Sequence, residues 1–218
     1  MVLAVSNLDP ESDNVDIYLV LDRSGSMASI RDDTIGSVNT FIQEQKDIGD
    51  NATLTLVLFN DKEEIVINNK PIAEVEELTR DVYRVGSSTS LLDAIGNTID
   101  LASRRSNENG HRVFIAVLTD GEENTSSKFT KEEVKKLVDD NNNDPKWEIL
   151  FLGASLESIE ESQSLGITNN IAFDATSAGI ISGLTTISSR STSFRGNSSF
   201  INEPQGQMVY TSTTNASK

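Results

Sequence analysis

Residues 15–26 read VDIYLVLDRSGS, a mainly apolar run that ends in a carboxylate, a glycine and two serines. The run is apolar on both faces, as is typical of a central strand in a parallel sheet. Because alternate residues of an extended segment point to the same side, Asp22, Ser24 and Ser26 can direct their oxygens at one point. Gly25 removes a side chain that would block a close approach. Three convergent oxygen ligands suit Mg²⁺, Mn²⁺ or Ca²⁺ better than zinc.

A second apolar run, Val113–Leu118, ends in a similar way, because Thr119-Asp120-Gly121 follows it directly. Strand-like runs alternate with amphipathic helical stretches, which predicts an α/β fold with a doubly wound, mostly parallel, six-stranded sheet and helices on both faces. The third strand follows a tight turn and has charged ends, so we predict that it is the one antiparallel strand, at the sheet edge. The six predicted strands lie at about residues 15–22, 53–59, 64–68, 113–118, 147–152 and 170–173.

Functional groups in such a sheet gather in the loops at the carboxyl ends of the strands, above all where the strand order reverses. Asp22 and Asp120 both lie at such ends, after the two most apolar strands. Central strands of this kind are usually neighbours. We therefore expect the loops that follow them to be able to form one metal site.

Helices are predicted between the strands from apolar residues at helical spacing and from capping signals. The predicted helices lie at about residues 30–47, 74–78, 91–102, from Thr130 onward, 155–165 and 180–194. We predict one domain over residues 14–195. A polar lead-in precedes it at residues 1–13, and a polar tail, residues 196–218, follows it.

Charge and composition exclude several classes of function. The chain of 218 residues has a net charge of −16 and a pI near 4.4, which argues against binding to a nucleic-acid backbone or to an anionic membrane. It has no cysteine, hence no disulfide, no thiol catalysis and no cysteine-based zinc site. We find no secretion signal and no apolar run of bilayer length, so we expect a cytoplasmic protein.

Three sequence elements together resemble the von Willebrand factor A domain family. They are Asp22-x-Ser24-x-Ser26, then Thr89 in the loop GSSTSLLDA, and then Thr119-Asp120-Gly121. Their order and separation match the metal-ion-dependent adhesion site of that family. The resemblance covers roughly residues 14–195, and the wording LDRSGSM and TDGEEN is most similar to stand-alone bacterial and phage members.

The resemblance implies a role for each residue of the site. Ser24 and Ser26 would bind Mg²⁺ through their hydroxyls, Thr89 directly or through water, and Asp22 and Asp120 mainly through water. Mn²⁺ or Ca²⁺ is possible in place of Mg²⁺. The remaining coordination position would accept an Asp or Glu of a partner protein, because neutral hydroxyls leave much of the ion's charge uncompensated. The chain would then be a divalent-metal-dependent protein-binding module.

Three other interpretations stay open at this stage. The loop after the first strand could simply cap a helix, since Asp and Ser are favoured caps. The domain could be a structural or assembly component of a phage virion or of a larger bacterial complex, with residues 196–218 as a tether. A Mg²⁺-dependent phosphotransferase with Asp22 as nucleophile needs a second carboxylate two residues on, where Ser24 stands, and a nearby lysine. We therefore do not expect an enzyme.

Other charged residues near these loops are given structural or surface roles. Asp93 lies in the first turn of its predicted helix, where the helix dipole favours an acid. Glu122 and Glu123 are interpreted as a solvated loop beside the site, and Arg23 as a solvent-facing side chain that could attract an acidic ligand. His111 falls in the turn before a strand, at the opposite end of the sheet, so a catalytic role is not expected.

Overall fold

The sheet of this protein has six strands in the order β3-β2-β1-β4-β5-β6. A computed structural model describes residues 14–196 of the chain. All neighbouring strands are parallel except β2 and β3, which are antiparallel at the edge. The predicted fold class is therefore confirmed. The strands are β1 (Val15–Asp22), β2 (Ala52–Phe59), β3 (Glu63–Pro71), β4 (Arg112–Thr119), β5 (Trp147–Gly153) and β6 (Asn169–Ala172).

Helices cover both faces of the sheet and enclose two apolar cores. One core joins the sheet to residues such as Val38 of α1 and Leu184 of α5. The other joins it to residues such as Ile95 of α2 and Val138 of α3. This burial on both faces explains why the central strands are almost continuously apolar. The helices are α1 (Arg31–Ile48), α2 (Leu91–Asn109), α3 (Lys131–Asn142), α4 (Leu156–Ser164) and α5 (Ser177–Gly196).

The central strand β1 lies between β2 and β4, and all eight of its residues are buried. Its register with β4 pairs Leu21 with Leu118. The two strands therefore end level with each other, and Asp22 and Asp120 leave the sheet at the same edge. The strand order reverses between these two strands, which is where functional sites of such sheets form.

The prediction of a helix at residues 74–78 is wrong. A single 3-10 turn covers Ile72–Glu74, and residues 75–79 are irregular. The side chain of Asn39 in α1 donates to the carbonyl of Leu78 at 3.0 Å and accepts from its amide at 2.7 Å. Asn39 thus satisfies both backbone polar groups of Leu78 without a helix, and the side chains of Val75 and Leu78 are buried.

The last helix is fixed to the first by a buried arginine. Arg195 donates from Nη1 to the carbonyl of Gln45 at 2.6 Å and from Nη2 to the carbonyl of Gly49 at 2.6 Å. These carbonyls belong to the C-terminal end of α1, where a helix leaves acceptors unpaired and favours a cation. The C-terminal end of α5 is thereby held against α1.

The predicted lead-in, residues 1–13, and all but the first residue of the predicted tail lie outside the described residues, so both stay predictions. Gly196 is the last residue of α5. Within residues 14–196, every helix is too short or too polar to cross a membrane.

Candidate metal site

The carboxylate of Asp22 is the innermost group of the candidate site. The residue is fully buried at the end of β1. Its Oδ1 accepts from the amide of Ser24 at 2.6 Å, and its Oδ2 accepts from Oγ1 of Thr119 at 2.5 Å. The hydroxyl of Tyr83 donates to the Asp22 carbonyl. The side chain is therefore held in one orientation by a bond from the loop after β1 and a bond from the last residue of β4.

The two serines of the first loop connect this carboxylate to Asp120. Ser24 Oγ and Ser26 Oγ are 3.0 Å apart, and Ser26 Oγ donates to Asp120 Oδ1 at 2.6 Å. Ser24 is buried, whereas Ser26 is exposed and Asp120 is half-buried. The oxygens thus form a path that begins inside the sheet edge and reaches solvent.

Thr89 joins the same group through the space above Gly121. A methyl group placed on Gly121 would lie 3.1 Å from Thr89 Oγ1, 3.6 Å from Asp22 Oδ2 and 3.9 Å from Ser24 Oγ. Oxygens from the end of β1 with its following loop, and from the Thr89 loop, therefore face one small space beside Gly121, which belongs to a third loop. The structure brings all five predicted site residues together.

The chemistry of this oxygen group fits a small divalent cation. Its donors are three hydroxyls and two carboxylates, the oxygen ligands that Mg²⁺, Mn²⁺ and Ca²⁺ prefer. Over residues 14–196 there is no cluster of three or more His, Cys, Asp or Glu side chains that could bind a metal. A cation held here would therefore depend on the hydroxyls of Ser24, Ser26 and Thr89.

Asp22 is buried and Asp120 is half-buried, which disfavours the charged form of both carboxylates. Burial raises the pKa of Asp22 from 3.8 to about 6, and the nearby Asp120 carboxylate adds to the rise. Burial also raises the pKa of Asp120. In a poorly solvated place two neighbouring negative charges destabilise each other, and a positive ion between them would relieve both.

The structure corrects the interpretation of Arg23. Its side chain is only 12% exposed, and Nη1 lies 2.9 Å from Oε2 of Glu64 on β3. The arginine therefore anchors the first loop to the edge strand instead of pointing into solvent. The acidic residue that attracts it lies 41 positions away, which no local pattern predicts.

Glu123 is not part of a solvated loop, although Glu122 is exposed as predicted. Its Oε2 accepts from the amide of Leu92 at 2.8 Å, and its Oε1 accepts from the amides of Thr125 and Ser126. It thus caps the first turn of α2 from a different loop. The helix needs this cap because Ser90, at the N-cap position, makes no side-chain cap.

Asp93 has the structural role that its position predicted, with partners in the same distant loop. Its carboxylate accepts from the amides of Ser127, Lys128 and Phe129 at 2.9–3.0 Å. The first turn of α2 and the segment after Asp120 therefore cap each other. This mutual capping joins the Thr89 loop to the Asp120 loop.

His111 lies away from the candidate site, as expected. Its Nδ1 is 2.9 Å from Oδ1 of Asp16, a buried residue near the start of β1. Asp16 also accepts from Asn109 and Thr53. The pair belongs to a hydrogen-bonded group at the amino end of the sheet.

Comparison with known proteins identifies the fold independently. The family model of the von Willebrand factor type A domain matches residues 16–188. A comparison with curated proteins finds no match. Among solved structures, a point mutant of the PilB minor pilin from Streptococcus sanguinis has a TM-score of 0.60 at 12% identity, covering 82% of this chain and 61% of that chain.

Two further structures share the fold. The pilus adhesin SpaC from Lactobacillus rhamnosus GG, in an open conformation, has a TM-score of 0.60 at 14% identity, covering 82% of this chain and 30% of that chain. The SpRpn10 VWA domain has a TM-score of 0.57 at 9% identity, covering 79% of this chain and 95% of that chain. The chain spans less than two thirds of either pilus protein, and identities this low establish the fold alone.

The raised pKa of Asp22 predicts a pH-dependent stability in metal-free protein. Because the folded state binds this proton more tightly than the unfolded chain does, the stabilising contribution is complete below about pH 3.8 and is lost as the pH rises through about 6. The shift corresponds to roughly 3 kcal/mol. In EDTA, Asp22→Asn should therefore gain stability relative to wild type between pH 4 and pH 7, measured by urea unfolding.

Asp61→Asn is the matched control, because Asp61 lies on an exposed turn. It removes the same charge. The difference between its free energy of unfolding and that of wild type should change little between pH 4 and pH 7. If the free energies of unfolding of Asp22→Asn and wild type differ by the same amount at every pH in this range, the prediction is contradicted.

Proposed function

The chain belongs to the von Willebrand factor type A domain family, and we propose that it binds a partner protein through a divalent cation held at the carboxyl edge of its sheet. Domains of this family generally mediate protein–protein interactions. The observation that carries the proposal is the group of three oxygens around Gly121, from Thr89, Asp22 and Ser24, which the hydroxyl of Ser26 links to the carboxylate of Asp120.

Each residue of the site has a proposed part in holding the ion, which we propose is Mg²⁺. Ser24, Ser26 and Thr89 offer hydroxyl oxygens. Asp22 and Asp120 orient these hydroxyls and bound water, a part that agrees with their bonds to the Ser24 amide and the Ser26 hydroxyl. When bound, a divalent cation would supply positive charge that neutral hydroxyls do not cancel.

The partner would approach from the solvent side of the site. Gly25 and Ser26 are exposed, whereas Asp22 and Ser24 are buried. We propose that an Asp or Glu side chain of the partner enters beside Ser26 and completes the coordination of the ion. Metal and partner would then strengthen each other's binding by the same factor.

Catalysis is not part of the proposal, and the surroundings of Asp22 give the reason. A nucleophilic carboxylate needs an oxygen free to attack, but both oxygens of Asp22 already accept hydrogen bonds and the residue is fully buried. With Mg²⁺ and p-nitrophenyl phosphate we expect no turnover above the buffer rate. Turnover that Asp22→Asn abolishes would contradict this.

Gly121→Ala should weaken metal binding without removing any proposed ligand, because the new methyl group crowds Thr89 Oγ1. Its methyl group would lie within 4 Å of the oxygens of Thr89, Asp22 and Ser24. We expect Mn²⁺ and Mg²⁺ affinity to fall on the order of tenfold or more, measured by titration calorimetry and, for Mn²⁺, by electron paramagnetic resonance.

Gly25→Ala is the matched control, since a methyl group there meets only the Ser87 carbonyl at an ordinary 3.6 Å. Its metal affinity should remain close to that of wild type. Wild-type protein that binds neither ion, or equal affinity in the Gly121→Ala variant, would refute the proposed site.

Partner capture should depend on the ion and on an acidic residue of the partner. Immobilised protein in Mg²⁺ should capture a partner that EDTA releases, and Ser24→Ala or Asp120→Ala should abolish capture with little change in the melting temperature. Replacing the partner's critical Asp or Glu by its amide should have the same effect.

Glu122→Ala serves as the control, because Glu122 is exposed on the loop that follows Asp120. This variant should still capture the partner. Capture that persists in EDTA would rule out the metal-dependent mode.

A further inference from the structure

The backbone of Thr89 is held on both sides by Asn124. The amide of Thr89 donates to Asn124 Oδ1 at 2.9 Å, and the Thr89 carbonyl accepts from the amide of Asn124 at 3.0 Å and from that of Thr125 at 3.2 Å. Both backbone polar groups of Thr89 are thereby engaged by one segment. The two residues are 35 positions apart in the chain.

The position of Thr89 needs such an external support because its own loop is irregular. Gly86 and Ser87, which have φ values of 153° and 69°, lie shortly before Thr89, and α2 begins two residues after it, at Leu91. No regular hydrogen-bond ladder fixes this stretch. Thr89 Oγ1 nevertheless lies at the shared space above Gly121, so its direction depends on what holds the Thr89 backbone.

The segment that carries Asn124 is itself firmly held. Glu123 accepts from the amides of Leu92, Thr125 and Ser126, and the amide of Asp93 donates to the hydroxyl of Ser126 at 3.0 Å. The segment is thus attached to the first turn of α2. Asn124 can therefore act as a fixed support and not as a mobile loop residue.

We propose that Asn124 is a positioning residue of the metal site, which acts by holding the Thr89 backbone so that Thr89 Oγ1 faces the ion. The inference rests on the proposed function, since it assigns the site a residue beyond the five predicted ligands. The side chain must supply an acceptor at the Oδ1 position. Asparagine and aspartate provide one, whereas alanine does not.

The test is a double-mutant cycle read by Mn²⁺ affinity. We compare wild type, Asn124→Ala, Thr89→Ala and the double variant by titration calorimetry. Asn124→Ala should weaken Mn²⁺ binding on the order of tenfold. In the Thr89→Ala background the same change should have little further effect, because its target hydroxyl is gone.

A second readout separates positioning from folding. In EDTA, amide hydrogen exchange at Thr89 should become faster in Asn124→Ala and stay slow in Asn124→Asp, which keeps the acceptor oxygen. Asn124→Asp should also retain Mn²⁺ affinity. The melting temperatures of Asn124→Ala and Asn124→Asp should remain close to that of wild type, because Asn124 lies on an exposed loop.

Thr125→Val is the matched control for loop attachment. Thr125 Oγ1 lies 3.4 Å from Ser88 Oγ. Its side chain therefore links the same two loops through Ser88 and not through the Thr89 backbone. This variant should bind Mn²⁺ like wild type.

The outcomes distinguish this inference from the proposed function. Additive losses in the cycle, or unchanged Mn²⁺ affinity in Asn124→Ala while Thr89→Ala binds weakly, would overturn the role of Asn124 and leave the metal site intact. Wild-type protein that fails to bind Mn²⁺ would overturn both.

Discussion

The parallel pairing of β1 with β4 is the constraint on which the candidate site depends. Because Leu21 pairs with Leu118, the two strands end at one level and direct Asp22 and Asp120 into the same small volume. Burial there raises the pKa of each carboxyl group. The fold thus places two acids where water solvates them poorly, which is the electrostatic basis of the proposed cation site.

The loops that meet at this edge are fixed in different ways. The first is held mainly by its own short-range bond from the Ser24 amide to Asp22, with Arg23 tied to the edge strand. The loops that carry Thr89 and Asp120 are held by each other, because Glu123 accepts from the amide of Leu92 and Asp93 accepts from the amide of Ser127. The Asp22–Ser26 side of the site is therefore fixed by the end of β1. The Thr89 and Asp120 sides depend on contacts between their two loops.

The fold and the function rest on different observations. Proteins at 9–14% identity share this architecture, two of them pilus components and one a separate VWA domain. A shared fold of this kind does not define what a chain binds. The proposed function rests instead on the oxygens around Gly121 and on the exposed Ser26 beside them, which are properties of this chain.

The sequence by itself predicted six strands and the main helices along the chain, the antiparallel edge strand, and five oxygen-bearing residues, four of them at or just after the ends of β1 and β4. These features are local: buried strands are apolar runs, and alternate residues of one loop share a side. Only the tertiary structure decided the support around them. Glu123 and Asn124 accept hydrogen bonds from backbone amides 31 and 35 positions away. Asn39 accepts from the amide of Leu78, in the segment where a helix was predicted at residues 74–78. Such contacts depend on which loops the sheet brings together, and the spacing of residues within one segment does not predict this.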